Sequence, residues 1–374
     1  MVTAFVKSLY SGDKIALEHL VYFKAEDAAM QEAKMAIAID AMGGDDAPAS
    51  TVAGALMARR AGIDVTLVGD SAILERELIK QGSEGALDII HAPETVPMDE
   101  HAALSVRGNR QTSLWVGINT LKNGEIDAFL SVGNTGAAMA TALVGLGRLP
   151  GIERPALGGL LPTSDGKQVM FLDIGANADA RPSQLVQFAH LGSAYMRSVF
   201  NIQSPRIALL SIGSEETKGS NLVIETHKLL IVEKHLNFVG NVEAHDILSR
   251  GSAVGGVDVI VTDGFTGNMC IKLGEGILET LISSLQTAAE DSTRAKIGGL
   301  LLSPALQYTR DNLDFRKHGA VMLLGVQGPI FIGHGRSDST AIASALATAD
   351  YAIKNNVALA LDEQAGIINS SKTE

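Results

Sequence analysis

The chain of 374 residues holds one cysteine, Cys270, and one tryptophan, and aromatic residues make up only 4% of it. A lone cysteine excludes an intrachain disulfide and a thiolate metal cage, and it fits a reducing compartment. Set after Gly-Asn-Met, Cys270 reads as a small buried hydrophobe. Basic charge is also scarce: 30 Lys and Arg face 42 Asp and Glu, a formal net charge of −12. No basic run offers the footprint of a nucleic-acid binder, so nucleic acid is not an expected partner. No apolar segment approaches the ~20 residues of a membrane span. Residues 1–34 lack the apolar stretch of a signal peptide, contain no Arg and carry several acids, which argues against a transit peptide. They read as an N-terminal extension of unknown role, ahead of a first strong strand at Met35.

What is plentiful is glycine, 39 residues in an apolar-rich chain. One pattern recurs: a short apolar run ends in Gly, Asp or Asn, and a helix-like segment follows. It starts at 35 (MAIAIDAMGGDDAP), 64 (DVTLVGD), 127 (DAFLSVGNTG) and 169 (VMFLDIGANAD). It returns at 206 (RIALLSIGSEETKG), 236 (LNFVGN), 257 (VDVIVTDGFTGN) and 320 (AVMLLGVQGP). Apolar strands alternating with helices predict an α/β fold with a mostly parallel sheet. In such sheets ligands bind outside the carboxyl ends of the strands.

Those ends carry the chemistry-bearing residues. Gly43, Gly44 and Asp45 follow the first run, and paired glycines let backbone approach a ligand closely. Asn134, Thr135 and Gly136 form a turn at a helix start, suited to an anion. The Lys of a P-loop is absent from that turn, and no GxGxxG precedes an acid about 20 residues on, which disfavours a dinucleotide fingerprint. Asp173 and Asn177, then Glu215 and Lys218, then Asp263, Asn268 and Lys272 stand at later ends. Asp, Asn and Gly at these points also serve as helix caps and turn formers. The acids suit Mg²⁺, but no ligand spacing compels a metal. His334 lies between two glycines in FIGHGRSD and is the candidate acid–base group.

Residues 275–317 break the pattern. Ile277, Leu278, Leu281, Ile282 and Leu285 share one helical face, and a knob of Leu300, Leu301 and Leu302 precedes Pro304. From Arg294 to Lys317 five cations (Arg294, Lys296, Arg310, Arg316, Lys317) face two acids, a local balance of +3. A helical hairpin buried in a dimer interface and an apolar tip touching a membrane both fit these residues.

Taken in order, IAIDAMGGDDAP, SVGNTGA, LDIGANAD, LLSIGSEETKG, VTDGFTGN and LLGVQGP…HGRSD resemble the phosphate acyltransferases of bacterial phospholipid synthesis over about 35–355. The resemblance implies a three-layer α/β/α Rossmann-like fold, similar to phosphotransacetylase and isopropylmalate dehydrogenase, with a protruding helical hairpin. It leaves residues 356–374 as a C-terminal tail. It further implies a fatty acyl group passing from acyl carrier protein to inorganic phosphate, and no cofactor. The acyl phosphate then supplies glycerol-3-phosphate acylation, with a downstream membrane acyltransferase as its user. A homodimer in the cytoplasm, in peripheral contact with the membrane through Leu300–Leu302, completes the expectation.

On that footing Gly43, Gly44, Asp45, Asn134, Thr135, Gly136, Asp173, Asn177, Glu215, Lys218, Asp263, Asn268 and Arg336 are expected to bind phosphate or substrate. His334 and Lys272 are expected to be catalytic. Where the family often has Lys-Ala-His-Gly-Ser-Ser, this chain has Ile332 in place of the Lys, and Arg336 is the candidate replacement charge. Residues 1–34 have no counterpart at the usual family start. The alternatives are an ATP-dependent phosphotransferase, a dehydrogenase of the isopropylmalate type and a non-catalytic membrane scaffold.

Overall fold

The computed structural model describes residues 35–107, 110–251, 254–290, 292–313 and 320–371. The extension at 1–34 and the basic residues Arg316 and Lys317 lie outside them. The chain opens with β1 (Ala36–Asp40), α1 (Ala49–Arg60), β2 (Asp64–Gly69), α2 (Ser71–Lys80) and β3 (Asp88–His91). Next come α3 (Ala102–Arg107), α4 (Ser113–Lys122), β4 (Ala128–Ser131) and α5 (Thr135–Gly145). The middle carries β5 (Ala156–Pro162), β6 (Gln168–Leu172), α6 (Pro182–Phe200), β7 (Arg206–Ser211), α7 (Asn221–Val232) and β8 (Asn237–Glu243). It ends with β9 (Val259–Val261), α8 (Gly264–Glu290), α9 (Thr293–Leu313), β10 (Val321–Leu324), β11 (Ile330–Ile332), α10 (Ser339–Lys354) and α11 (Val357–Ser371).

These elements form two compact units. Unit 1 takes the described residues as far as Thr141 together with Phe331–Lys354; unit 2 takes Ala142–Ile330 and the described residues from Asn355. In unit 1 the strands run β3-β2-β1-β4-β11, and the pairs of β1 with β2 and β4, and of β2 with β3, are parallel. Helices α1 and α10 pack on each other and on β1, while α4 packs on β1, β2 and β4. In unit 2 the order is β10-β5-β6-β9-β7-β8, with β6, β9, β7 and β8 parallel and β5 antiparallel to both its neighbours. The fold is therefore α/β with a mostly parallel sheet, as the recurring pattern predicts.

All eight predicted runs are strands, most of them apolar enough to be buried on both faces; β4 is buried along its whole length, whereas β8, at the edge, is only partly buried. Three strands were not predicted from the pattern. β3 is a half-exposed edge, β5 carries Gly158 and Gly159 in its interior, and β11 has only three residues after Gly-Pro.

Two more expectations change. The segment read as a tail forms α11, which packs on α6. There Gln364 accepts from the Arg197 guanidinium and meets His190 Nδ1 at 2.9 Å, which anchors the helix to α6. The hairpin is longer than 275–317 implies: its first helix, α8, begins at Gly264, directly after Asp263, and packs on α9. Among the described residues no helix is long and apolar enough to cross a membrane.

Candidate active site

Parallel pairing sets Asp40, at the end of β1, beside Ser131, at the end of β4. Asp40 is only 2% exposed. Ser131 Oγ donates to Asp40 Oδ2 at 2.9 Å, and the Gly133 amide donates to Ser131 Oγ at 3.1 Å. From the other turn the Met42 amide donates to Oδ1 at 3.3 Å, and the Gly43 amide also donates to this carboxyl. Burial pushes the Asp40 carboxyl above the ordinary carboxylate range, against these donors, which pull it down.

The glycines are demanded by this arrangement. A Cβ on Gly43 would lie 2.6 Å from Asp40 Oδ2 and 2.9 Å from Gly133 Cα, and Gly44 has φ +103°, where L side chains are strained. Each turn directs one amide inward, Gly43 or Gly133, and leaves the next one open. Among the described residues the amides of Gly44, Asn134, Thr135 and Gly136 take no hydrogen-bond partner. The last three open the first turn of α5, where the helix dipole adds to them. The result is a backbone cradle of a kind suited to an anion.

Asn134 serves the cradle differently from its expected role. Its side-chain amide donates to the carbonyls of Met98 at 3.0 Å and Glu100 at 2.8 Å, and its Oδ1 accepts from the Ala137 amide at 3.0 Å. The side chain thus caps α5 and holds the 97–100 loop, and only its backbone amide is open. The β11 turn joins the same place: the Asp45 amide donates to the Gly335 carbonyl at 2.8 Å. His334 Nδ1 accepts from the Arg336 amide at 3.2 Å, so the neutral ring carries its proton on Nε2. The Arg336 side chain is exposed, as is that of Thr135.

In unit 2 the expected residues fall into three groups. Asp173, fully buried at the end of β6, accepts from the amides of Leu157, Gly175, Ala176 and Asn177 and from Asn177 Nδ2. Asn177 Nδ2 also donates to the Pro155 carbonyl at 2.7 Å. Asp263 caps α8 through the Thr266 amide and hydroxyl. Asp173, Asn177 and Asp263 therefore form a scaffold for the start of α8, and a Cβ on Gly267 would fall 1.9 Å from the Asp173 carbonyl oxygen. Glu215 and Lys218 stand exposed in the loop after β7, which Asn241 Nδ2 holds through the Glu215 carbonyl at 3.0 Å. Asn268 and Lys272 are exposed on α8, where Lys272 pairs with Glu275 at 3.1 Å. Among the described residues no three His, Cys, Asp or Glu side chains gather to hold a metal ion.

Asp40 is legible as a polar strand end, but neither it nor Ser131 carries a binding or catalytic role in the sequence reading. Their only signal was a polar residue closing an apolar run; the β1–β4 register is what makes them partners.

The solved structures give the fold independently. A phosphotransacetylase from Streptococcus pyogenes superposes with a TM-score of 0.57 at 19% identity, covering 92% of this chain and 100% of its own. The EutD phosphotransacetylase from Staphylococcus aureus gives 0.58 at 16% identity, covering 90% and 99%. The family described as "Fatty acid synthesis protein" matches residues 35–360. The phosphate acyltransferase of Nostoc punctiforme is 42% identical over 337 residues, 90% of this chain and 98% of its own. The chain belongs to the phosphate acyltransferase family. That of Thermus thermophilus is 46% identical over 312 residues, covering 83% and 93%. As a member of this family the chain is an acyltransferase enzyme of lipid biosynthesis, and its match begins at residue 35, where β1 is about to start.

Proposed function

We propose that this phosphate acyltransferase moves a fatty acyl group from the thioester of an acyl carrier protein to inorganic phosphate, releasing acyl phosphate for glycerol-3-phosphate acylation. The observation that carries the reading is the cradle of open amides at Gly44 and Asn134–Gly136, which suits a small dianion and has no lysine to reach along a nucleotide triphosphate. Phosphate oxygen attacks the thioester carbonyl, the C–S bond breaks, and the sulfur leaves as a thiolate. Bound phosphate needs orientation more than activation, because it is itself the nucleophile. Backbone amides also suit the oxyanion that forms on the carbonyl.

The thiolate must then take a proton, since a free thiol has a pKa of roughly 8.5. His334, once protonated to the imidazolium, supplies it and returns to the neutral ring, and Arg336 adds positive charge beside it. Lys218 and Lys272 are the remaining charge candidates. Both are on unit 2, where Lys272 already meets Glu275. Incubation with acyl-carrier-protein thioester and phosphate should yield acyl phosphate and free carrier in equal amounts. Nucleotide-dependent turnover without phosphate consumption would sink the reading.

The hairpin supports a homodimer that rests on the cytoplasmic face of the membrane. Phe265, Met269, Leu273, Ile277, Leu281 and Leu285 form an exposed row at four-residue spacing along α8, a face suited to a second copy. On α9, Leu300, Leu301 and Leu302 are 73%, 77% and 58% exposed, with Arg294 and Lys296 also exposed. Such a tip suits an anionic lipid surface that receives an insoluble product. In vesicle flotation Leu301→Glu should lose most of the bound fraction at unchanged catalytic rate on a soluble acyl donor; undiminished binding would sink the membrane-tip reading.

A further inference from the structure

Asp40 takes no part in the transfer just described, yet it lies under both anion-binding turns. A Cβ on Gly133 would stand 3.3 Å from Asp40 Oδ2, and one on Gly43 only 2.6 Å from it. Phosphate held by the next amide of each turn, Gly44 and Asn134, is therefore close to a second anion that is shut away from water. Among the described residues the groups acting on that carboxyl are hydroxyls and amides, with no charged side chain from β2, β4, α1, α4 or α10, the elements packed against β1. Two like charges in a dry site cannot both stay ionised without a large penalty; the open amides and the start of α5 favour the phosphate dianion while burial disfavours the carboxylate, so the proton goes to Asp40.

A protonated carboxyl needs an acceptor for its O–H. The Ser113 hydroxyl, at the first position of α4, is wholly buried, and the group it acts on is the Asp40 carboxyl. A hydroxyl that donates to the ionised carboxyl can turn and accept from the protonated one, because it carries lone pairs as well as a proton. The donors from Ser131 and Gly43 remain satisfied by the carboxyl, so both turns keep their shape.

We propose that Asp40 is the positioning residue of the phosphate site, and that binding of phosphate is coupled to uptake of a proton by its carboxyl, received by Ser113. This rests on the phosphate reading above. The protein would thereby hold its two turns with an anion while the site is open, and lose that charge as phosphate enters.

Calorimetric titration of the full chain with inorganic phosphate, in alkaline buffers of different ionisation enthalpy, counts the protons taken up. The wild type should take up about one proton, and its phosphate affinity should fall by as much as roughly tenfold per pH unit where free Asp40 is ionised. With Asp40→Asn the uptake should vanish and the affinity should become flat with pH. Equal uptake in the two proteins overturns the proposal. If Asp40→Asn does not fold, Ser113→Ala carries the test, and uptake identical to the wild type overturns it. A wild type that binds no phosphate overturns the phosphate reading, whereas one that binds phosphate without taking up a proton overturns only the coupling.

Discussion

His334→Ala should lower kcat by roughly 10²–10⁴-fold on an acyl-carrier-protein thioester while leaving the KM for phosphate within a few-fold of the wild type. The reason lies in which step needs a proton. Attack by phosphate needs none from the protein, but a thiolate leaving with a conjugate pKa of roughly 8.5 is a poor leaving group unless it is protonated as it departs. The Arg336 amide, which donates to Nδ1 in the neutral ring, fixes the orientation of the imidazole, and its protonated form is the acid. The 334–335 turn is itself fixed by the bond from the Asp45 amide to the Gly335 carbonyl. A thioester whose thiol is strongly acidic needs no such help. On that substrate the variant should approach the wild-type rate, and an equal loss on both donors would remove His334 from the acid role.

Gly43→Ala should have the second large effect, this time on phosphate. Its new methyl would meet Asp40 Oδ2 at 2.6 Å and the Gly133 backbone at 2.9 Å, so the two turns must separate. Overpacking of this kind costs about 1–3 kcal/mol of stability. The site should suffer more than the fold, because an amide displaced by even 1 Å no longer points at the anion, with losses near 10²-fold. The expected result is a rise in the phosphate KM of one to two orders of magnitude with a modest fall in melting temperature. Gly136→Ala is the control. Its Cβ would meet Ala102 at 3.4 Å and Asn134 Oδ1 at 3.5 Å, ordinary contacts, and its amide would stay in place. If the two alanine variants bind phosphate alike, the amide cradle is not the phosphate site.

Much of this architecture is readable in one dimension. The runs at β1, β4, β6, β7 and β9 are apolar without alternation, which only a strand covered on both faces explains. β5 escaped notice because Gly158 and Gly159 lower its strand character, and they are there for packing: a Cβ on Gly158 would lie 2.9 Å from Met170 Sδ. The same logic separates the site residues. Thr135 and Gly136 are legible as a helix start, since a turn of small polar residues before an apolar helix leaves amides open. The use of the Asn134 side chain was not legible, because its partners at Met98 and Glu100 lie more than thirty residues away.

Taken alone, the sequence determined the parallel α/β class and the family, because burial pattern and turn chemistry are local and survive translation into a string. Tertiary structure alone decided which polar strand ends are taken up in holding the protein and which stay open. Asp173 and Asp263 look as reactive as any residue in the chain until they are seen receiving amides and capping α8. Asp40 looks like one more turn former until pairing with β4 sets it between Ser131 and Gly43, out of water. The physical reason is the same for all three: a carboxylate's role depends on the donors and water that reach it, and those arrive from distant parts of the chain.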